Sequence, residues 1–276
     1  MNSEPLVSVI VTTFNRADLL RETLDSILSQ TYNNFELIVV DDGSTDNTEK
    51  VVKNYSDSRV QYIKTDNWGG PARPRNIGIK QSKGEYIAFC DDDDLWNPIK
   101  LEMQINRLSN SGHSMVFTMQ KQFGATSIFS NYYGIGPLPF RVNTSTNSLL
   151  EHNCIPLSSV FIKKSLFDGI GNFNEKKSFV AIEDNDLWIR ASRVTKIEFI
   201  PDILVLHRVS ESSIYESRTN IEECIKEMRE THGYGSKKKS VEVIKKNVIY
   251  LFFRNLFNLI YGNLFYRSIY GSKVTE

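Results

Sequence analysis

The run Asp91, Asp92, Asp93 and Asp94 ends an apolar stretch, YIAFC, and is the most chemically loaded segment of this sequence. Adjacent carboxylates repel one another, and a structural turn needs only one of them, as the cap of a following helix. A hard divalent cation, Mg2+ or Mn2+, would neutralise the cluster and bridge it to a diphosphate. Alternate residues of a strand point the same way, so Asp91 with Asp93, or Asp92 with Asp94, are expected to face one ion. Asp41 and Asp42 follow a second apolar run, FELIVV. A carboxylate there can accept a base N–H or a ribose hydroxyl, and Gly43 lets a backbone come close. The alternative is a turn in which Ser44 or Asp46 caps the next helix. Glu183, Asp184 and Asp186 open the stretch EDNDLWIR. A carboxylate there can act as a general base, although acids at a helix start also answer the helix dipole, and spacing alone favours the dipole. Arg73, Arg75 and Asn76 lie in a Gly- and Pro-rich segment, NWGGPARPRN, where an arginine meets either phosphate or solvent.

These residues need elements to carry them. Residues 7–12 (VSVIVT) predict a buried strand, Asn15 a helix cap, and ADLLRETLDSILSQ a helix with apolar residues at helical spacing. Residues 35–40 predict a second strand, a helix starts near Thr48, and residues 60–63 form a third strand. After the NWGGPARPRN loop come a short helix, IGIKQSK, and the strand that ends at the aspartates. Strands alternating with helices predict a mostly parallel α/β sheet, whose ligands sit beyond the carboxyl ends of its strands. The polar clusters above follow such ends. Residues 117–146 show no clean period. Beyond them, SSVFIKKSLF predicts a strand and a helix start, EDNDLWIRAS a helix, and IEFIPDILVLHRVS strands. From residue 217 the chain turns helical, so a boundary is expected near residue 216.

Composition narrows the class further. The 276 residues are 40% hydrophobic and 24% charged, which suits a globular core and excludes a disordered or collagen-like chain. Lys+Arg and Asp+Glu both number 33, so the strongly basic signature of a nucleic-acid binder is missing. Cys90, Cys154 and Cys224 form no CxxC pair, and the N-terminal stretch lacks the charge and length of an export signal; both point to the cytoplasm. There is no GxGxxG after the first strand, no GxxxxGK[ST] and no GxSxG. Near the end, residues 248–266 (VIYLFFRNLFNLIYGNLFY) approach the length of a membrane span. They carry Arg254 and three asparagines, which disfavours spanning. The basic residues ahead of them, among them Lys237, Lys238 and Lys239, suit an anionic membrane surface at the inner face of the cell membrane. A helix packed on the domain or in a homodimer interface is the alternative.

The stretches VSVIVTTFNRADLLRETLDSILSQTYNNFELIVVDDGSTDNT and ARPRNIGIKQSKGEYIAFCDDDDLWNPIKLE resemble the nucleotide-sugar half of the family 2 glycosyltransferases. The resemblance covers about residues 5–105 and continues more weakly through SSVFIKKSLFDGIGNFNE and IEDNDLWIR. It implies a GT-A fold in residues 1–216, with a donor half (5–105) and an acceptor half (106–216), followed by a helical extension, 217–276. It also implies an inverting, Mn2+- or Mg2+-dependent transfer from a nucleoside diphosphate sugar, a UDP-sugar by family frequency, to a glycan or lipid-linked glycan. Thr12 and Phe14 fall where the family lines its base pocket, Asp41 where it binds the base, and Asp92 where it contacts ribose. Asp93 falls where the family holds the metal, and Asp184 matches its catalytic base. The expected site is completed by Asn15, Arg75 and Asn76 on the nucleotide, by Asp91 and His207 at the metal, and by Glu183 and Trp188 at the acceptor. One departure stands out. Relatives carry Tyr-Arg-x-His-x-x-Ser after the last strand, whereas here Ser210 occupies the histidine's place. His207 is then either a substitute ligand from a shifted position or a structural residue. Two rival classes fit less well. A nucleotidyltransferase would open with a glycine-rich basic loop, which TTFNRADLL is not, and a non-catalytic relative would have lost Asp93 or Asp184.

Overall fold

The computed structural model describes residues 4–124, 132–133, 142–209 and 220–234. The chain runs β1 (Val7–Thr13), α1 (Ala17–Leu28), β2 (Phe35–Asp41), α2 (Thr48–Lys53), β3 (Val60–Lys64), α3 (Ala72–Gln81) and β4 (Tyr86–Asp91). It continues through β5 (Leu95–Trp96), α4 (Lys100–Ser111), β6 (Met115–Gly124), β7 (Tyr132–Tyr133), α5 (Thr146–Glu151) and β8 (Phe161–Lys163). The last elements are α6 (Leu166–Ile170), α7 (Glu183–Ser192), β9 (Ile197–Val209) and α8 (Ile221–Thr231).

One sheet organises all of them, in the order β3-β2-β1-β4-β8-β6-β9-β5, with β7 paired to β6. β3, β2, β1 and β4 run parallel, as the alternation of strands and helices predicts. Beyond β4 the sheet is mixed, because the short β8 pairs antiparallel with both β4 and β6, and β5 antiparallel with β9. Both faces are covered, so the central strands read as continuous apolar runs. Ile10, Ile87 and Phe89 face one core with α3, α5 and α7, while Val7, Val9, Val11, Ala88 and Cys90 face the other with α1 and α4. Gly78 lets α3 lie close on β1: a Cβ there would come within 2.5 Å of Ile10 Cγ2.

The register sets the site. Thr13 pairs with Asp41 and Thr12 with Asp91, so β1, β2 and β4 end side by side on one edge.

Two local expectations are corrected. Helix α3 begins at Ala72, inside the segment expected as a loop, with Pro71 at its cap and Pro74 in its first turn. Proline costs little there because first-turn N–H groups have no intrahelical partner. Asn15 does not cap α1. It stands at φ +54, and its Oδ1 accepts from Thr45 N and Asp46 N, tying β1's end to the turn after β2. The α1 N-terminus is met by Asp46 instead, whose Oδ2 accepts from Ala17 N at 3.1 Å.

Helix α8 packs on the body of the protein, with Cys224 and Met228 buried in the core that holds Trp188 and Phe179. The boundary expected near residue 216, the segment 248–266 and Lys237, Lys238 and Lys239 lie outside the described residues. Among the described residues no helix is long and apolar enough to cross a membrane.

Candidate active site

A cleft of about 1020 Å³ opens over the carboxyl ends of β1 and β4 and is closed on its other side by α5, α7 and α8. Thr12, Phe14, Arg75, Asp91, Asp92, Asp93, Glu183, Asp184 and His207 all line it. Phe14 is 44% exposed, an apolar ring left at the mouth of a polar cleft. That geometry suits stacking of a flat ring such as a base.

The aspartate run does not keep strand periodicity. β4 ends at Asp91, and a hydrogen bond from Asp94 N to Asp91 O at 3.2 Å turns the chain. Neighbours Asp92 and Asp93 therefore converge on one group, Arg16 Nη1, at 3.3 and 2.5 Å. Asp94 turns away, and its Oδ1 accepts from Arg208 N at 3.1 Å and lies 2.9 Å from His207 Nδ1. Burial pushes the Asp92 carboxyl up to about 6 even with Arg16 beside it. Burial, together with the charges of Asp94, Asp91 and Asp92, pushes Asp93 up to about 7. Asp92 and Asp93 thus share one arginine between two carboxylates. Hard carboxylate oxygens in that state fit a divalent cation. His207 is buried against its own charge, but Asp94, with Asp91 and Asp93, holds it up at about 9. In this arrangement His207 partners Asp94 through Nδ1, the structural one of the two roles open to it from sequence.

Across the cleft, α7 begins at Glu183, two residues after Ala181, a non-glycine residue at φ +73. Asp184 Oδ2 accepts from Asn153 Nδ2 at 3.0 Å, and its Oδ1 from Asn185 N at 2.6 Å. Burial, then the neighbouring Glu183 charge, pushes the Asp184 carboxyl up to about 7, against the pull of Arg75. A carboxylate poised near neutrality on a cleft wall is equipped to take a proton from a hydroxyl. Asp186, by contrast, is bound to Arg190 and His232 and serves structure.

Arg75 links the two walls. Its Nη1 lies 2.5 Å from Glu183 Oε1 and its Nη2 3.0 Å from Asp91 Oδ1. The forked guanidinium is thus engaged by two carboxylates, one on each wall. Asn76, one residue on and about 100° round the helix, points away from the cleft. It donates to Phe173 O and Glu175 Oε1 and accepts from Phe173 N, so it pins a loop and does not meet a nucleotide. Trp188 is also corrected. It has no exposed surface, donates from Nε1 to Ile155 O at 3.1 Å, and packs edge-on against Phe173. Asp41 is fully buried, accepting from Ser44 N and the Tyr62 hydroxyl, while its neighbour Asp42 reaches the cleft and holds Trp68 N and Gly69 N. Gly43, at φ +82, makes this turn possible: a Cβ would stand 2.8 Å from Asn67 N. Arg16, Asn153 and Arg208 were not singled out from sequence. Of these, only Arg16, a cation three residues beyond the end of β1, carried a local signal.

The model of the family described as Glycosyl transferase family 2 matches residues 8–167. A glycosyltransferase of Rickettsia felis is 35% identical over 80% of this chain, although this chain spans only 37% of that relative's length. The Escherichia coli UDP-Glc:alpha-D-GlcNAc-diphosphoundecaprenol beta-1,3-glucosyltransferase WfgD is 32% identical over 77% of this chain and 81% of its own. Among solved structures, S. aureus TarS 1-349 in complex with UDP-GlcNAc superposes with a TM-score of 0.65 at 22% identity, covering 96% of this chain and 75% of that one. The mannosyltransferase PcManGT from Pyrobaculum calidifontis, in complex with GDP-Man and Mn2+, superposes at 0.62 and 18% identity, over 86% and 66%. These likenesses support the GT-A fold. With the strand-end aspartates and the Glu183–Asp184 helix start facing one cleft, the family match leads to one conclusion: this chain belongs to glycosyl transferase family 2.

Proposed function

We propose that the chain transfers a sugar, with inversion, from a nucleoside diphosphate sugar to a hydroxyl of a glycan or lipid-linked glycan. One observation carries this reading: Asp184, a carboxylate held near neutrality, shares a cleft with the Asp91–Asp93 turn, and Arg75 ties the two walls together. Phe14 offers its ring to the base, and Asp92 is placed to meet the ribose. Asp184 takes the proton of the acceptor hydroxyl, and Asn153 keeps its carboxylate aimed while leaving lone pairs free. Glu183, locked on Arg75, fixes the start of α7, and Asp94 with His207 and Arg208 fixes the turn that carries Asp93. Asp93, with Asp91, is the site for Mn2+ or Mg2+. Among the described residues no three His, Cys, Asp or Glu side chains are grouped so as to hold an ion by themselves. When bound, the ion offsets negative charge on the departing diphosphate.

A UDP-sugar donor and a lipid-linked acceptor are the finer reading, supported by the names of the related WfgD and the TarS complex; an acceptor of that kind would be met at a membrane surface. The test is a donor panel of UDP- and GDP-sugars with Mn2+ or Mg2+, read by release of the nucleoside diphosphate. Turnover should vanish with EDTA and in Asp93→Asn while that variant keeps its melting temperature. Activity untouched by EDTA sinks the metal assignment, and no release from any donor sinks the transferase reading.

A further inference from the structure

Arg16 belongs to no part of the expected site, yet it touches the centre of it. Its Nη1 bridges Asp93 Oδ2 at 2.5 Å and Asp92 Oδ1 at 3.3 Å. The arginine side chain is 26% exposed, against 9% for Asp92 and 10% for Asp93. The cation therefore has room to move along the cleft wall, and its partners do not. Other cations near the turn meet other groups: Arg75 meets Asp91 and Glu183, His207 meets Asp94, and Arg208 meets Glu22 and the carbonyl oxygen of Asp93, so the side-chain carboxylates of Asp92 and Asp93 pair with Arg16.

A divalent ion taken up by Asp93 would meet a guanidinium on the same carboxylate. Two cations on one oxygen pair repel strongly in a partly buried site, and the ion with the more concentrated charge holds the hard oxygens. The guanidinium released in this way stays on the cleft wall, two residues from Phe14. A nucleotide whose base stacks on Phe14 would bring its diphosphate there, and guanidinium with phosphate forms a bidentate, charge-assisted pair.

We propose that Arg16 is an exchangeable counter-ion: it yields Asp93 to a divalent cation, releases Asp92 to the ribose, and passes to the diphosphate of the bound nucleotide. The inference rests on the metal-assisted nucleotide-sugar reading above. It demands opposite signs in two binding measurements on the full chain. The first titrates Mn2+ alone and counts the free ion by electron paramagnetic resonance. The second titrates UDP at saturating Mn2+ by calorimetry. Arg16→Gln should bind Mn2+ alone about fivefold more tightly, the scale of a partly exposed ion pair. The same variant should bind UDP about tenfold more weakly, the scale of a lost hydrogen bond to a charged group. Arg16→Lys, which keeps the charge, should return both values toward those of the unaltered chain. Mn2+ affinity that is unchanged or weaker in Arg16→Gln, or undiminished UDP affinity, overturns the proposal and leaves the metal reading standing. An unaltered chain that takes up no Mn2+, with or without UDP, overturns both.

Discussion

Arg75 should be the most consequential single side chain for the stability of this site, and Arg75→Met isolates the reason. The arginine is 6% exposed and Glu183 4%, so methionine fills the volume but leaves a buried carboxylate without its cation. Removing one partner of a buried ion pair costs about 3–5 kcal/mol, most of it the uncompensated charge. The second pair adds less: Asp91's side chain is 36% exposed, and solvent holds its contribution below about 1 kcal/mol. A loss of about 3–6 kcal/mol follows, equivalent to a fall of roughly 10–15 °C in melting temperature for a domain of this size. The pH dependence has a definite sign. An uncompensated buried carboxylate favours its protonated form, so the deficit is large at pH 8 and shrinks toward pH 5. Urea unfolding followed by tryptophan fluorescence at both pH values measures it. Arg75→Met/Glu183→Gln should recover much of the loss, because the stranded charge goes with the glutamate. A single variant within about 1 kcal/mol of the unaltered chain at pH 8, or a deficit that grows on acidification, would refute the reasoning.

Asp184→Asn should keep nucleotide affinity but lower turnover by about 10²-fold or more, and it should lack the rise in rate through pH 7 that marks ionisation of the base. Because the folded chain holds Asp184 up to about 7, this carboxyl favours the fold at acid pH and loses that contribution as pH rises through about 7. Asp184→Asn should therefore be at least as stable as the unaltered chain at pH 8, with the difference fading toward pH 4; a variant less stable at pH 8 argues that Asp184 is structural. Trp188→Phe removes the Nε1–Ile155 bond within an otherwise intact core and should cost about 1 kcal/mol without changing the KM for acceptor. A raised KM in that variant would return Trp188 to the acceptor site.

The local sequence determined what local physics controls. Apolar runs buried on both faces, β-branched in β1, specify β1 and β4, because no amphipathic helix tolerates that pattern. The helix over EDNDLWIRAS spans Glu183–Ser192, as its acidic first turn and apolar spacing require. A run of carboxylates directly after a buried strand marks the active edge of the sheet, since strand ends are where backbone and side chains meet a ligand. Helix α3 escaped because prolines near its start look like breakers, and only the packed first turn, with its unpaired N–H groups, makes them neutral.

Which way each side chain points, and what it meets, was decided by tertiary structure. Arg75 meets Glu183 across 108 residues, His207 meets Asp94 across 113, and Arg16 meets Asp93 across 77. No window of sequence contains both members of such a pair. The same reason separates Arg75 from Asn76, Asp42 from Asp41, and Asp184 from Trp188: each pair shares one short segment, and the packing of distant elements turns one member to the cleft and the other away from it, Asp41 and Trp188 into the core and Asn76 onto the loop at Phe173. Residue type and spacing name the chemistry a segment can do, but a charge acts only on what lies within a few ångströms of it, and that neighbour is chosen by the fold.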